Sequence, residues 1–391
     1  MTNSSSSDDI AKRAIDLHRK AQGKLSIQSR IPLETNDDLA LAYTPGVGHV
    51  SSAIAADPAL AYELTGRGRT VAVVSDGSAV LGLGNLGPLG AMPGMEGKCL
   101  LFKELGGVDA IPIVLDTQDT EELIMIVRNL APSFGGINLE DISAPRCFEI
   151  EERLQDIGIP VFHDDQHGTA IVTLAAVTNA LRVVGKPIES TKIVFSGAGA
   201  AGIACAKMLM KAGASNMILV DSKGAIYDGR PDLNHEKRHI ATMTNREGIS
   251  GDVHEAIENA DVFIGLSGPG LLTRDDIKRM APDSVVLAMA NPTPEILPDE
   301  AKAGGAAVIG TGRSDFPNQV NNVLAFPGVF KGALSVRAPR ISAEMSVAAA
   351  HALANLIEAP HAENILPSAL DRSVAGHIAD AVAAAAGNLT S

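Results

Sequence analysis

The sequence predicts an α/β protein in two halves, the second a doubly wound parallel sheet closed by C-terminal helices. Three observations carry this reading. Short apolar runs that read as buried strands alternate with helical runs over most of the chain. The glycine loop Gly197-Ala198-Gly199-Ala200-Ala201-Gly202 follows one such strand and opens a helix. Two acid pairs, Glu140-Asp141 and Asp164-Asp165, follow two neighbouring strand-like runs.

The elements follow in order. MTNSSSSDD reads as a frayed polar tail, and 8–23 as a helix. In LALAYTPGVG (39–48), Pro45, Gly46 and Gly48 are expected to break any helix and leave Tyr43 on a rigid turn. Val71–Val74 is a buried strand that runs into Ser75-Asp76-Gly77. The dense glycines of 81–90 then suggest close backbone approach. A helix over 94–105 carries Lys98. Strand Ala110–Leu115, helix Thr117–Asn129, strand Phe134–Leu139, helix Pro145–Ile157 and strand Ile159–Phe162 follow, and an Ala-rich helix begins near Ala170. Beyond it the strands are Lys192–Ser196, Met217–Asp221, Asp261–Leu266, Ser284–Met289 and Ala306–Gly310. Helices lie at 201–212, 252–259 and 274–281, and 342–358 and 373–387 close the fold. The boundary is expected at a strand end near 160, giving domains of 1–160 and 161–391.

Composition excludes several classes. Lys and Arg number 32 against 46 Asp and Glu, a net charge of −14, so no basic stripe is available for nucleic acid. No uninterrupted apolar run reaches bilayer length, and the N-terminus lacks a signal peptide's basic and apolar regions. The chain is therefore expected to be cytoplasmic, without nucleic-acid or membrane partners. Cys99, Cys147 and Cys205 are odd in number and far apart, as expected of buried reduced thiols rather than a disulfide framework.

The glycine loop fits GxGxxG in its proper context, between a strand and a helix, with Asp221 ending the next strand. This is the Rossmann-type arrangement for a dinucleotide pyrophosphate, and Asp221 is placed for the ribose hydroxyls. Asp221 would repel a 2′-phosphate and favour NAD. Ser222 and Lys223 come next, and Lys223 could pair with that phosphate and favour NADP. Glu140, Asp141 and Asp165 offer oxygen-only ligands that suit Mg²⁺ or Mn²⁺ better than Zn²⁺. His163 and His167 read as flanking or structural groups.

At these residues the chain resembles the malic enzyme family. The strings that carry the resemblance are LAYTPGV (41–47), SDGSAVLGLGNLG (75–87), MEGKCLLFKE (95–104), NLEDISAPRCFEIE (138–151), FHDDQHGTA (162–170), FSGAGAAG (195–202), ANPTPEI (290–296) and PNQVNNVLAFPG (317–328). The length is similar to the short bacterial form, without the acyltransferase-like extension of longer members. The resemblance implies an N-terminal malate- and metal-binding domain before the Rossmann-type domain. It also implies oxidative decarboxylation of (S)-malate to pyruvate and CO₂ with NAD or NADP and Mg²⁺ or Mn²⁺, and a homodimer. By the same resemblance Lys98 is the general base, Asp164 its paired acid, and Tyr43 the acid that protonates enolpyruvate. Glu140, Asp141 and Asp165 are the metal ligands. Asn291 and Asn322 hold nicotinamide ribose and substrate carboxylate, with Asn321 beside them, and the Asp76-Gly77 loop faces the substrate.

The chain departs from the larger family members at Ala79, where they carry a substrate-binding Arg. Backbone N–H groups of 76–84, or an Arg such as Arg67 or Arg69, are the expected substitutes. Two alternatives are a malolactic or other 2-hydroxyacid-decarboxylating enzyme of the same family, and a dinucleotide sensor without turnover.

Overall fold

The computed structural model describes residues 4–80 and 83–387. The N-terminal segment is helical: α1 (Ser4–Ala21), α2 (Asn36–Ala42), α3 (Gly46–Ala56) and α4 (Ala61–Leu64). The first sheet holds β1 (Thr70–Ser75), β2 (Asp109–Val114), β3 (Gly136–Leu139) and β4 (Val161–His163), with α5 (Gly87–Leu101), α6 (Thr120–Leu130) and α7 (Arg146–Leu154) in the crossovers. Its strand order is β2-β1-β3-β4, all parallel. α8 (Asp164–Val184) leads into the second sheet.

That sheet comprises β5 (Lys192–Ser196), β6 (Asn216–Asp221), β7 (Gly224–Ala225), β8 (Val262–Gly265), β9 (Val285–Ala288) and β10 (Val308–Thr311). Between them run α9 (Ala200–Lys211), α10 (His235–Ala241), α11 (Val253–Ala256), α12 (Arg274–Lys278) and α13 (Pro298–Gly304). α14 (Phe326–Ser335), α15 (Ala343–Asn355) and α16 (Val374–Gly387) close the molecule. The order is β10-β9-β8-β5-β6-β7, parallel except for the β6–β7 hairpin. β5 is central, and the chain turns to one side of it for β6 and to the other for β8. This is the topological switch point at which open α/β sheets bind ligands.

The strands carry Val, Ile, Leu and Phe on both faces because helices cover both faces. α8 is the packing axis. Its apolar side chains from Ile171 to Leu181 share one core with β1, with β5 and with α14 to α16. Among the described residues it is also the one helix long and apolar enough by composition to cross a membrane, but 67% of that window is buried inside the protein. Gly185, with φ +68°, ends it in the left-handed cap that glycine accommodates without strain.

Several expectations are corrected. The helix read as starting at residue 8 begins at Ser4, since serine is well tolerated at a helix start. Gly46 and Gly48 lie inside α3 rather than breaking it, and Tyr43 caps α2. Part of the glycine-dense 81–90 run lies outside the described residues. Its end belongs to α5, where Pro88 sits in the first turn, the position a helix accepts it. α8 starts at Asp164, six residues before the expected Ala170. Its two acids therefore form the first turn, where the helix dipole favours negative charge. β7, α10, α13 and α14 were not expected, because 224–225 is a two-residue strand and the helices are short or proline-led.

Candidate active site

β3 and β4 are neighbours, so their C-terminal ends bring both acid pairs together. One oxygen each of Glu140, Asp141 and Asp165 lie within 4.8 Å of one another. Asp141 adopts φ +54°, and its backbone N–H donates to Asp165 Oδ2 at 3.0 Å, tying the two strand ends. Asn138 Nδ2 donates to Glu140 Oε2 at 2.9 Å.

Lys98 enters from α5. Ala91, Met95 and Cys99 bury one face of that helix and so fix its rotation. The ammonium lies 2.6 Å from Asp164 Oδ2 and 3.0 Å from Glu140 Oε1, with only 11% of the side chain exposed. It also stands over the Phe326 ring, 4.3 Å from the centroid. Asn322 donates to the same Asp164 oxygen. Gly168 is dictated by this packing. A Cβ there would lie 1.9 Å from Asp164 Oδ1, an oxygen that is buried without a hydrogen-bond partner.

Burial pulls the Lys98 ammonium down, but the charges of Asp164 and Glu140 outweigh it and hold the group above its ordinary value. Burial first, and the nearby carboxylates second, push Glu140 up to about 7 and both Asp164 and Asp165 to about 6. The acids are thus crowded, and the lysine offsets only part of their repulsion. His163, fully buried, is held down at about 4 by burial. His167 Nε2 lies 2.8 Å from Glu151, whose carboxylate also accepts from the His163 N–H and from Gln166. Both histidines flank the acids, as expected. The three cysteines are reduced and buried.

The glycine loop lies at the end of β5. Gly197 (φ +108°) has no room for a Cβ, which would meet Leu266 O at 2.4 Å, and one on Gly202 would meet Gly197 O at 2.0 Å. A Cβ on Gly199 would meet nothing within 4 Å, so that side is open. Gly199 caps α9 with no side-chain hydrogen bond, so the helix's first N–H groups face this opening. Ala198, Ala200 and Ala201 present no bulk there.

The remaining residues divide. Asp221 ends β6 as expected, but its carboxylate is engaged: Arg230 Nη2 at 2.8 and 2.9 Å, Lys237 Nζ at 2.6 Å and the Lys223 N–H at 3.0 Å. Ser222 is exposed, and Lys223 pairs with Asp232 at 2.9 Å. Asn291 is exposed beyond the end of β9. Asn321 caps the turn at 322–324, so of the pair only Asn322 reaches Asp164. Asp76 is fully buried and committed to Arg146 at 2.7 Å and to Ser78. Gly77 (φ +68°) packs against Gly87. Tyr43 is 64% exposed, and among the described residues its phenol has no hydrogen-bond or ring partner.

Two residues escaped the sequence reading. Arg146, inside the quoted NLEDISAPRCFEIE string, binds Asp76, Ser78 and Gln118 and so braces the 76–78 loop. Arg67 and Arg69 cannot do this. They precede β1 at its opposite end, where Arg67 stacks on Tyr62 and Arg69 pairs with Asp109. Glu295, buried in ANPTPEI, accepts from the Ser267 and Ala290 N–H groups and staples the ends of β8 and β9.

Two family models match: "Malic enzyme, N-terminal domain" over residues 22–155 and "Malic enzyme, NAD binding domain" over 166–387. The bifunctional malic/malolactic enzyme of Bacillus subtilis is 52% identical over 381 residues, 96% of this chain and 93% of the relative. The NADP-dependent malic enzyme of Halomonas elongata is 54% identical over 363 residues, 91% of this chain and 85% of the relative. The crystal structure of the NAD-dependent malic enzyme from Thermotoga maritima superimposes with a TM-score of 0.92 at 48% identity, covering 95% of this chain and 98% of that one. The chain belongs to the malic enzyme family.

Proposed function

We propose that the protein catalyses oxidative decarboxylation of (S)-malate to pyruvate and CO₂ with reduction of NAD⁺ or NADP⁺. The observation that carries this is the placement of Lys98. It is a buried amine between Asp164 and Glu140, beside a carboxylate triad, in a chain that also carries a glycine-loop dinucleotide cradle at the end of β5.

The donor set fits a divalent cation, because three carboxylates converge and burial with mutual repulsion raises Glu140 and Asp165 in spite of Lys98. An Mg²⁺ or Mn²⁺ held by Glu140, Asp141 and Asp165 would polarise the substrate's C2 oxygen and neutralise the acids that keep Lys98 charged. The glycine loop fits a dinucleotide, which would supply the hydride acceptor.

The chain's own residues do the rest. Lys98 takes the proton from the C2 hydroxyl, and Asp164 and Asn322 fix the direction of its ammonium. Phe326 closes one side of the amine and excludes water. Arg146 holds the 76–78 loop in shape, but the N–H groups of Gly77, Ser78 and Ala79 donate to Ser75, Asp76 and Asp141, so this backbone does not replace the Arg absent at Ala79. Tyr43 returns a proton to C3. Residues 1–160 together with β4 and the Asp164-Asp165 pair form the substrate and metal half, so the expected boundary at 160 shifts past β4, and the second sheet with its helices forms the dinucleotide half. The chain acts as a cytoplasmic homodimer, a setting supported by its reduced, buried thiols.

The test is turnover of malate with each dinucleotide, with and without Mg²⁺ or Mn²⁺. Lys98→Ala should lose about two to four powers of ten in kcat. Asp165→Ala should lose metal-dependent turnover while still binding dinucleotide. Full malate oxidation in excess chelator, or by Lys98→Ala, rejects the reading. A sensor would bind dinucleotide without turnover, and it would have no use for a buried Lys98–Asp164–Glu140 cluster.

A further inference from the structure

His167 and Glu151 play no part in the chemistry above, yet they line a cavity of about 570 Å³. Its walls come from α7, β4, α8, α9, α10 and the start of α15, so it lies where the first-sheet half meets the second. It is separate from the catalytic centre. Gln166 and His167 follow Asp164 and Asp165 by two positions, about 200° around α8, so their side chains leave the opposite face of the helix. On α9 the lining residues are Ile203, Ala204, Lys207, Met208 and Lys211, a stripe at helical spacing that begins one residue past the glycine loop. Phe148, Phe162 and Met208 give the cavity an apolar floor, and the Phe162 ring centre lies 5.4 Å from that of His167. The acids on the walls are already engaged. Glu151 takes His167 at 2.8 Å, the His163 N–H and Gln166. Glu236 is held by Lys207 at 2.9 Å and His235 at 3.1 Å. Glu152 is shared with an adjoining cavity that Arg128, Arg153 and Arg340 also line. Lys211 and His239 are different: among the described residues neither side chain has a hydrogen-bond or ion-pair partner.

From this we propose that the cavity is an effector site for an aromatic monocarboxylate, its ring against Phe148 and Phe162 and its carboxylate on Lys211 and His239. An apolar space of this size with a few placed polar groups is the usual make-up of a small-molecule site. The aromatic wall suits a flat ring, and the unclaimed ammonium of Lys211 suits an anion. The effector role follows from the two helices. α8 opens with the Asp164-Asp165 pair and α9 with the glycine loop, and the cavity touches each within its first two turns. An occupant that favours one separation of the two halves over another shifts the metal and dinucleotide sites together.

The test is calorimetry on the full chain saturated with NADH, malate and Mg²⁺, with 2-naphthoate as the probe. One naphthoate per chain is expected to bind, and neutral 2-naphthamide at least about tenfold more weakly. Lys211→Glu should weaken naphthoate by about tenfold or more, and Val347→Trp, which fills the cavity, should remove saturable binding. Neither residue belongs to the catalytic or dinucleotide machinery, so malate turnover without naphthoate should stay within about twofold in both variants. Lys211 is exposed at the end of α9, so its variant keeps the test decisive if Val347→Trp does not fold. Naphthoate should also change the wild-type KM for malate or for dinucleotide and change neither in Lys211→Glu at the same concentration. No saturable binding, displacement by NADH or malate, or undiminished binding to Lys211→Glu overturns the site. Binding that leaves both KM values unchanged overturns the effector role. The functional reading fails by a different measurement, malate turnover in the absence of naphthoate.

Discussion

At the scale of single residues, the acids at the ends of β3 and β4 make the protein's response to pH and to cations predictable. Burial and mutual repulsion raise Glu140 to about 7 and Asp165 to about 6. A carboxyl whose folded value lies above its unfolded value takes up protons on folding. It therefore destabilises the fold as pH rises past about 4, the ordinary carboxylate value, and does so fully once pH exceeds 6 to 7. A divalent cation bound only by the deprotonated acids reverses that loss. The expected outcome is that Mg²⁺ raises Tm more at pH 7.5 than at pH 5.5, and that its apparent affinity rises with pH across that interval. Equal Tm increments at both pH values would reject the triad as the binding site. These residues were legible in the sequence because FHDDQHGTA and NLEDISAPRCFEIE name them. Arg146 lay in the second string and was still missed, since an arginine's role depends on what its guanidinium reaches, here Asp76 seventy positions away.

At the scale of elements, the end of β6 is where the sequence reading places cofactor choice. Read alone, Asp221 favours NAD and Lys223 favours NADP. The structure adds Arg230 and Lys237, which converge on the Asp221 carboxylate and hold it below the ordinary carboxylate range against the opposing effect of burial. With Lys223 on Asp232 as well, three cations face two carboxylates. Asp221 therefore repels a 2′-phosphate far less than an unpaired aspartate would, and Lys237 can exchange one anion for another. We expect both dinucleotides to be used. Lys237→Ala should raise KM for NADP⁺ about tenfold and leave KM for NAD⁺ within about twofold, in line with loss of a partly exposed charged contact. Equal effects on both would place Lys237 outside the 2′-phosphate subsite. None of this was legible before the structure, because Arg230 and Lys237 lie on a loop and a short helix beyond β7. Every strand but β7 was found within about two residues at each end. Parallel strands buried on both faces read as continuous apolar runs, and no alternation has to be judged.

At the scale of the whole molecule, the sequence reading and the structure part most clearly over the first seventy residues. The two sheets and α8 were foreseeable from apolar runs and glycine punctuation. The N-terminal arm was read as a helix, a turn and little else, because its apolar residues are spaced for helices that have no core of their own to join. In the homodimer of the proposed function their cover lies on another chain, and a single sequence does not show which surface that is. One consequence is that the body of the protein should not depend on the arm for its fold. All three hydrophobic cores of the described residues are built from Val71 onward, the largest of them around α8 and α14 to α16. A chain lacking residues 1–64 should therefore unfold in a single cooperative transition. It should bind NADH with a Kd within about threefold of the full chain, since α9 and the glycine loop are untouched. It should also run as a monomer in light scattering and turn over no malate, having lost both the dimer-forming face and Tyr43. If the truncated chain instead fails to fold at low concentration in the presence of NADH, the arm belongs to its own chain's core. If it folds, stays dimeric and keeps malate turnover, the arm is neither the interface nor the source of the acid.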